Sequence, residues 1–154
     1  MERRDLGVAI APHTALPVGA GAPRAHVTCT ECARCCQYVA VGINEPRRPR
    51  YATDILWYLS HPGVTVYVDG DDDWCVQFES RCRHLGPDRL CTIYSRRSHI
   101  CRAFDEHRCE VNSVGKARTF CTQEEFLAYL RAERPQLYRR ISKAFVPQHL
   151  QAPR

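Results

Sequence analysis

Four cysteines fall within eight residues, Cys29, Cys32, Cys35 and Cys36, in the pattern C-x-x-C-x-x-C-C. No other stretch constrains the fold as strongly. Thiolates bind soft and borderline metals such as zinc and the iron of iron–sulfur clusters. A two-residue spacer lets neighbouring sulfurs turn back on one ion or cluster. A chain with this segment has to build loops around a donor set, and metal binding is the first expectation.

Downstream, Cys82, Cys91, Cys101 and Cys109 follow one another at intervals of nine, ten and eight residues, and Cys75 and Cys121 complete the ten cysteines of the chain. The first cluster and these four supply eight sulfurs, enough for two four-ligand sites or for one site with spare thiols. Cys29, Cys32 and Cys35 have the spacing with which bacterial ferredoxins hold a cubane, so an iron–sulfur cluster, 4Fe–4S by preference, is the favoured cofactor. Cys36 and Gln37 depart from the ferredoxin continuation. Zinc is the alternative, although structural zinc sites usually join two C-x2-C pairs and only the first segment offers such pairs. Disulfides are a third reading. A bond between adjacent Cys35 and Cys36 would close a strained ring, and a cytoplasmic chain uses its cysteines for metal or redox chemistry. The candidate metal ligands are Cys29, Cys32, Cys35, Cys36, Cys82, Cys91, Cys101 and Cys109. Cys75 reads as a plain, partly exposed thiol sharing a strand face with Gln77. Cys121 precedes a helix cap, where the helix dipole would favour its thiolate, or it serves as a small apolar residue there.

Arginine makes up 20 of the 22 basic residues, and Arg34, Arg81, Arg83, Arg102 and Arg108 lie beside cysteines. Their charge could favour thiolates and offset a bound cluster, or they could reflect composition alone. His84, His99 and His107 stand within two residues of a cysteine. Each reads as a neighbour of the site or a surface residue, because eight sulfurs already fill the ligand count.

A length of 154 residues fits one domain with tails, long enough to bury a core without cross-links. The net charge of +5 is uneven. Residues 51–130 carry 9 basic against 12 acidic side chains, and residues 131–154 carry 6 against 1. The basic tail reads as a solvated helix face. Nucleic acid is not the expected partner, since no aromatic-rich basic stripe accompanies it. No apolar run is long enough to span a membrane. A twin arginine at Arg3-Arg4 is followed by Pro12, His13, Pro17 and Pro23, which make a poor export signal, so the expected location is cytoplasmic.

The expected fold class is α+β, a small cysteine-rich domain organised by metal, with a β-hairpin and a few short helices. Residues 1–26, rich in Ala, Gly and Pro, are expected to form a mobile N-terminal arm. Residues 27–121 form the cysteine-cluster domain, and 122–154 a helical C-terminal segment and tail. Residues 44–50 read as a loop, and Thr53 as the cap of a helix that Pro62-Gly63 stops. Alternation at Val64, Val66 and Val68 and at Trp74, Val76 and Phe78 predicts a hairpin. Its tip, Asp69-Gly-Asp-Asp-Asp73, lacks the spacing of a calcium loop. Thr122-Gln-Glu-Glu125 predicts a capping box, and Pro135 the start of a further helix with Leu137, Tyr138 and Ile141.

No nucleotide-binding loop, nucleophile elbow or convergent acid–base pair is visible. The chain resembles the CxxCxxCC, or YkgJ-type, family of zinc- or iron-chelating cysteine-cluster domains. The first motif carries the resemblance together with Cys82-Arg-His-Leu, Cys91-Thr-Ile-Tyr94, Arg97 and Cys101-Arg102-Ala-Phe104. It covers about residues 29–109. Ser98 stands where the family usually has proline, and Arg34 where glycine is common. The resemblance implies metal chelation by the matching cysteines. Some relatives are linked to flagellin lysine methylation, although this chain is shorter than such an enzyme would need. The expected function is that of an iron–sulfur protein that transfers electrons or serves as accessory subunit of an oxidoreductase or protein-modifying system. The expected partner is therefore a protein, either that oxidoreductase or a modification target. The alternative is a zinc-stabilised interaction module without redox chemistry.

Overall fold

A computed structural model describes residues 27–103 and 116–143. The elements run α1 (Cys29–Cys32), β1 (Tyr38–Gly42), α2 (Pro49–Tyr58), β2 (Val64–Val68), β3 (Trp74–Glu79), α3 (His99–Ala103), β4 (Arg118–Phe120), α4 (Gln123–Glu133) and α5 (Pro135–Ser142), with 3-10 turns at Arg34–Cys36 and Tyr94–Arg96. The fold is α+β. Its four-stranded antiparallel sheet has the order β1-β3-β2-β4. The arm expected at 1–26 lies outside the described residues.

The hairpin forms where the alternation put it, with Val66 opposite Val76 and Val68 opposite Trp74. Its acidic tip uses Asp69 internally, since Asp69 Oδ1 accepts from the backbone N–H groups of Asp71 and Asp73 at 2.9 and 3.0 Å. Alternation then decides what each face does. Val66, Val68, Trp74, Val76 and Phe120 are buried with residues of α2, α4 and α5. Cys75, Gln77, Thr65 and Tyr67 occupy the opposite face and are half-buried. Trp74, Phe120, Phe126 and Tyr129 pack as an aromatic cluster, with Trp74 and Phe120 stacked 5.8 Å apart. Burying side chains such as Phe126, Leu127 and Leu130 stabilises the fold by roughly 1.5–3 kcal/mol each.

The capping box is present in both halves, with Thr122 Oγ1 accepting from Glu125 N–H and the Glu125 carboxylate accepting from Thr122 N–H. Pro135 opens α5, whose Leu137 and Ile141 are buried. Helix α2 corrects the sequence reading. It starts at Pro49, after an extended Arg48, and not at Thr53. Proline suits the first helical position because its fixed φ matches the helix and its missing N–H is not needed there. Thr53 instead lies inside the helix and donates to Arg50 O at 2.8 Å. The loop expected over 44–50 therefore ends at Arg48. Strands β1 and β4 were not anticipated. Val39 and Val41, opposite Phe78 and Val76 on the edge strand, stay half exposed and give no clean alternation.

Candidate metal centre

The first cysteine segment is ordered by its own polar residues. Thr28 and Glu31 form the start of a T-x-x-E cap, in which Thr28 N–H and Oγ1 both donate to Glu31 Oε2, at 2.9 and 2.7 Å. Cys32 N–H then closes on Thr28 O at 3.1 Å. The chain reverses at Ala33, which is buried and left-handed with φ 49°, and enters the 3-10 turn that carries Cys35 and Cys36. The special backbone position is thus Ala33, one residue before Arg34, where the family's glycine is common.

The second segment joins the first through the end of the sheet. Ser80 N–H donates to Gln37 O at 2.9 Å and Cys82 N–H to Cys36 O at 2.7 Å, which continues the β1–β3 pairing beyond the strands. Cys82 is thereby set against Cys36. From there the chain makes a tight turn, with Leu85 bridged to Cys91, Gly86 N–H donating to Leu90 O at 2.8 Å and Thr92 N–H to His84 O at 2.9 Å. Arg97 stacks over the Tyr94 ring at 3.7 Å and donates to Tyr94 O. This leads into α3, where the Ser98 hydroxyl donates to Cys101 Sγ at 3.3 Å. At 98, the chain therefore has a donor to sulfur, which proline could not supply.

The electrostatics agree with this convergence. The Cys36 thiol is pushed up, first by burial, then by charge on Cys82, Cys91 and Cys101, while a hydrogen bond with Cys35 works the other way. Cys36 is therefore the sulfur on which the influence of Cys35, Cys82, Cys91 and Cys101 falls. The charges that raise the Cys36 thiol are those of cysteines. Arg81 turns to the Leu85 and Gly86 carbonyls at 3.2 and 3.4 Å. Among the described residues no three Cys, His, Asp or Glu side chains are gathered closely enough to hold an ion. Thiolates repel one another, and a cation is what draws them into one sphere. The candidate donors are all sulfur, which would fit zinc or iron–sulfur chemistry and not a hard cation such as magnesium. The side chain of Cys29, all of Cys109 and His107, and Arg108 lie outside the described residues. His84 and His99 are exposed, and the polar contacts described for His84 are made by its backbone carbonyl.

Cys75 lies apart. It faces away from the core, and its thiol is pushed up by burial first and by Asp69 and Asp73, against a Tyr67 hydrogen bond and the Lys116 charge. Cys121 corrects the expectation of a thiolate favoured by the helix dipole. Partial burial and the Glu125 carboxylate push its thiol up, because the capping box brings that carboxylate against the same residue, with Cys121 N–H donating to Glu125 Oε2 at 2.6 Å.

The fold and the site define a small α+β domain in which two cysteine-bearing segments meet beside the end of an antiparallel sheet. Residues 28–122 match the family model CxxCxxCC, described as "Putative zinc- or iron-chelating domain", and the chain belongs to this family. No curated protein and no solved structure matches the chain. No helix among the described residues is long and apolar enough to cross a membrane.

Two features were missed in the sequence. Arg89 Nη1 donates to Glu31 O at 2.7 Å, across 58 residues. The Gly86-Pro-Asp-Arg turn was the available signal for a tight loop there, but nothing local names its distant acceptor. The Ser98–Cys101 contact was foreshadowed by Ser98 replacing proline.

Proposed function

We propose that the chain is an iron–sulfur protein whose cluster is held by ligands drawn from Cys29, Cys32, Cys35, Cys36, Cys82, Cys91, Cys101 and Cys109, and that it acts as an electron-transfer or accessory subunit of an oxidoreductase or protein-modifying system. The observation that carries this reading is the bond from Cys82 N–H to Cys36 O, which joins the two segments where the charges of Cys82, Cys91 and Cys101 reach Cys36. A bound iron–sulfur cluster would supply one-electron transfer. The ferredoxin-like spacing of Cys29, Cys32 and Cys35 favours iron over zinc. The chain's cysteine usage suits a reducing cytoplasm, and its partner is then a protein. Protein purified without air should be brown, with iron and acid-labile sulfide in stoichiometric amount. A colourless protein with full zinc and no sulfide, even after reconstitution, overturns the iron–sulfur assignment.

A structural zinc centre is the second reading. It is supported by the shortage of core in the cysteine segments, where only Ala33 and Leu85 among the described apolar side chains are buried. Zinc would then fix loops that cannot hold themselves, and its removal should loosen them reversibly. Zinc-free protein that keeps these loops ordered and fully stable argues against this reading.

A further inference from the structure

We infer that Arg89 is a positioning residue of the metal centre, a clamp that binds no metal but sets the first cysteine segment against the Cys82–Cys91 turn. This rests on the metal-chelating reading above.

The clamp begins in the turn. Gly86 N–H donates to Leu90 O, Arg89 N–H to Gly86 O at 3.2 Å, and Leu90 N–H to Asp88 Oδ1 at 3.1 Å. The turn closes tightly around Gly86, where a Cβ would lie 2.5 Å from Asp88 Oδ1 and 3.2 Å from Leu90 O, so that a side chain there would displace Asp88. Arg89 itself is left-handed, with φ 64°. Glycine or asparagine would adopt that conformation with less strain. A long cationic side chain at a strained position points to a role for the side chain.

That role is visible in its reach. The guanidinium donates to the carbonyl of Glu31, between Cys29 and Cys32, in a short charge-assisted bond. A carbonyl at the end of a short helix lacks a helical partner and attracts a cation. The Cys82–Cys91 turn is thus fastened twice. Its base is held by Cys82 N–H on Cys36 O, and its tip by Arg89 on Glu31 O. Cys82 carries the base fastening itself, and Cys91 lies across the turn from Leu85, two residues after Arg89. Without the tip bond, the base alone would leave the turn free to swing away from α1, and the two segments would meet a metal at variable distance.

The test uses the full chain loaded with whichever of zinc or iron the wild type takes up. Metal retention against a competing chelator is measured alongside the thermal midpoint of the metal-free protein, with Cys32→Ser as a ligand-loss control. Arg89→Gly removes the clamp and also relieves the left-handed strain. It should weaken metal binding roughly 10- to 100-fold, the range for groups that orient ligands, while the metal-free midpoint stays equal or rises. Arg89→Lys keeps a cationic donor and should recover part of the affinity. Unchanged affinity in Arg89→Gly, or a loss matched by a lower metal-free midpoint, overturns the positioning role while the metal reading stands. A wild type that takes up neither metal overturns both.

Discussion

Fourteen apolar side chains join in one buried cluster built from the sheet, α2, α4 and α5. The cysteine segments, 29–37 and 80–103, add only Ala33 and Leu85 to the described buried apolar set, and neither joins that cluster. They also carry Leu90, Tyr94 and Ile100 as exposed large apolar residues, Ile100 at 76%. One region is held by area removed from water, the other by backbone and side-chain hydrogen bonds, with no disulfide among its described cysteines. Apolar burial is non-directional and tolerant of small shifts. Ligation and hydrogen bonding fail when geometry slips. The two regions should therefore respond to different perturbations.

The largest separation should come from the ligands. Replacing Cys32 or Cys101 by serine should abolish metal uptake, because metal binding at such sites contributes on the order of 10 kcal/mol. Hydrogen exchange should then speed up at the Ser80, Cys82 and Thr92 amides, whose bonds tie the loops together, and stay slow at Leu127 and Leu130. Equal acceleration in both places would erase the distinction between the regions.

The converse comes from the core. Phe126 is fully buried among Trp74, Phe120 and Tyr129, and Phe126→Ala should cost about 3–5 kcal/mol in denaturant unfolding. It should lower metal affinity only through the population that unfolds. A smaller step is Thr122→Ala, which removes the side-chain acceptor of the capping box and should cost about 1 kcal/mol. Its effect should be confined to α4 and the core it anchors.

Glu45 gives a pH test of the sheet–helix region. Burial alone would raise its carboxyl, but hydrogen bonds from Arg47 and Arg134 outweigh that and hold it below the ordinary carboxylate range. A depressed folded value means that the stability Glu45 provides is present above the unfolded carboxylate range and is lost as pH falls through the folded value. Glu45→Gln should remove that part of the acid dependence, at a cost near neutrality of about 1 kcal/mol or less for a partly exposed pair. An unchanged acid profile would show that the bridge does not couple to folding. The smallest effect should be that of Cys75→Ser. Cys75 is on the outer sheet face beside Tyr67 and Lys116, so metal content should stay within error, and a loss of metal would redraw the ligand set.

The elements legible in the sequence were those written in local pattern. Alternating valines gave the hairpin, Thr122 and Glu125 the capped helix α4, and Pro135 the helix after it. The cysteine spacing marked the chelating family and the pairs within each segment. What lacked a local pattern was not readable. Strand β1 half exposes Val39 and Val41 because it lies at a sheet edge, and β4 is three residues long. Helix α2 was misplaced because the Thr53 cap signal competed with Pro49, and the chain took the proline start.

Sequence alone determined which residues can bury, which can cap and which can bind a soft metal, because these are properties of side chains and short-range spacing. Only the tertiary structure decided that Cys82 meets Cys36 and that Arg89 reaches Glu31. These two pairings join positions 46 and 58 residues apart. Their partners are chosen by how the sheet folds back on itself, and no local pattern records that choice.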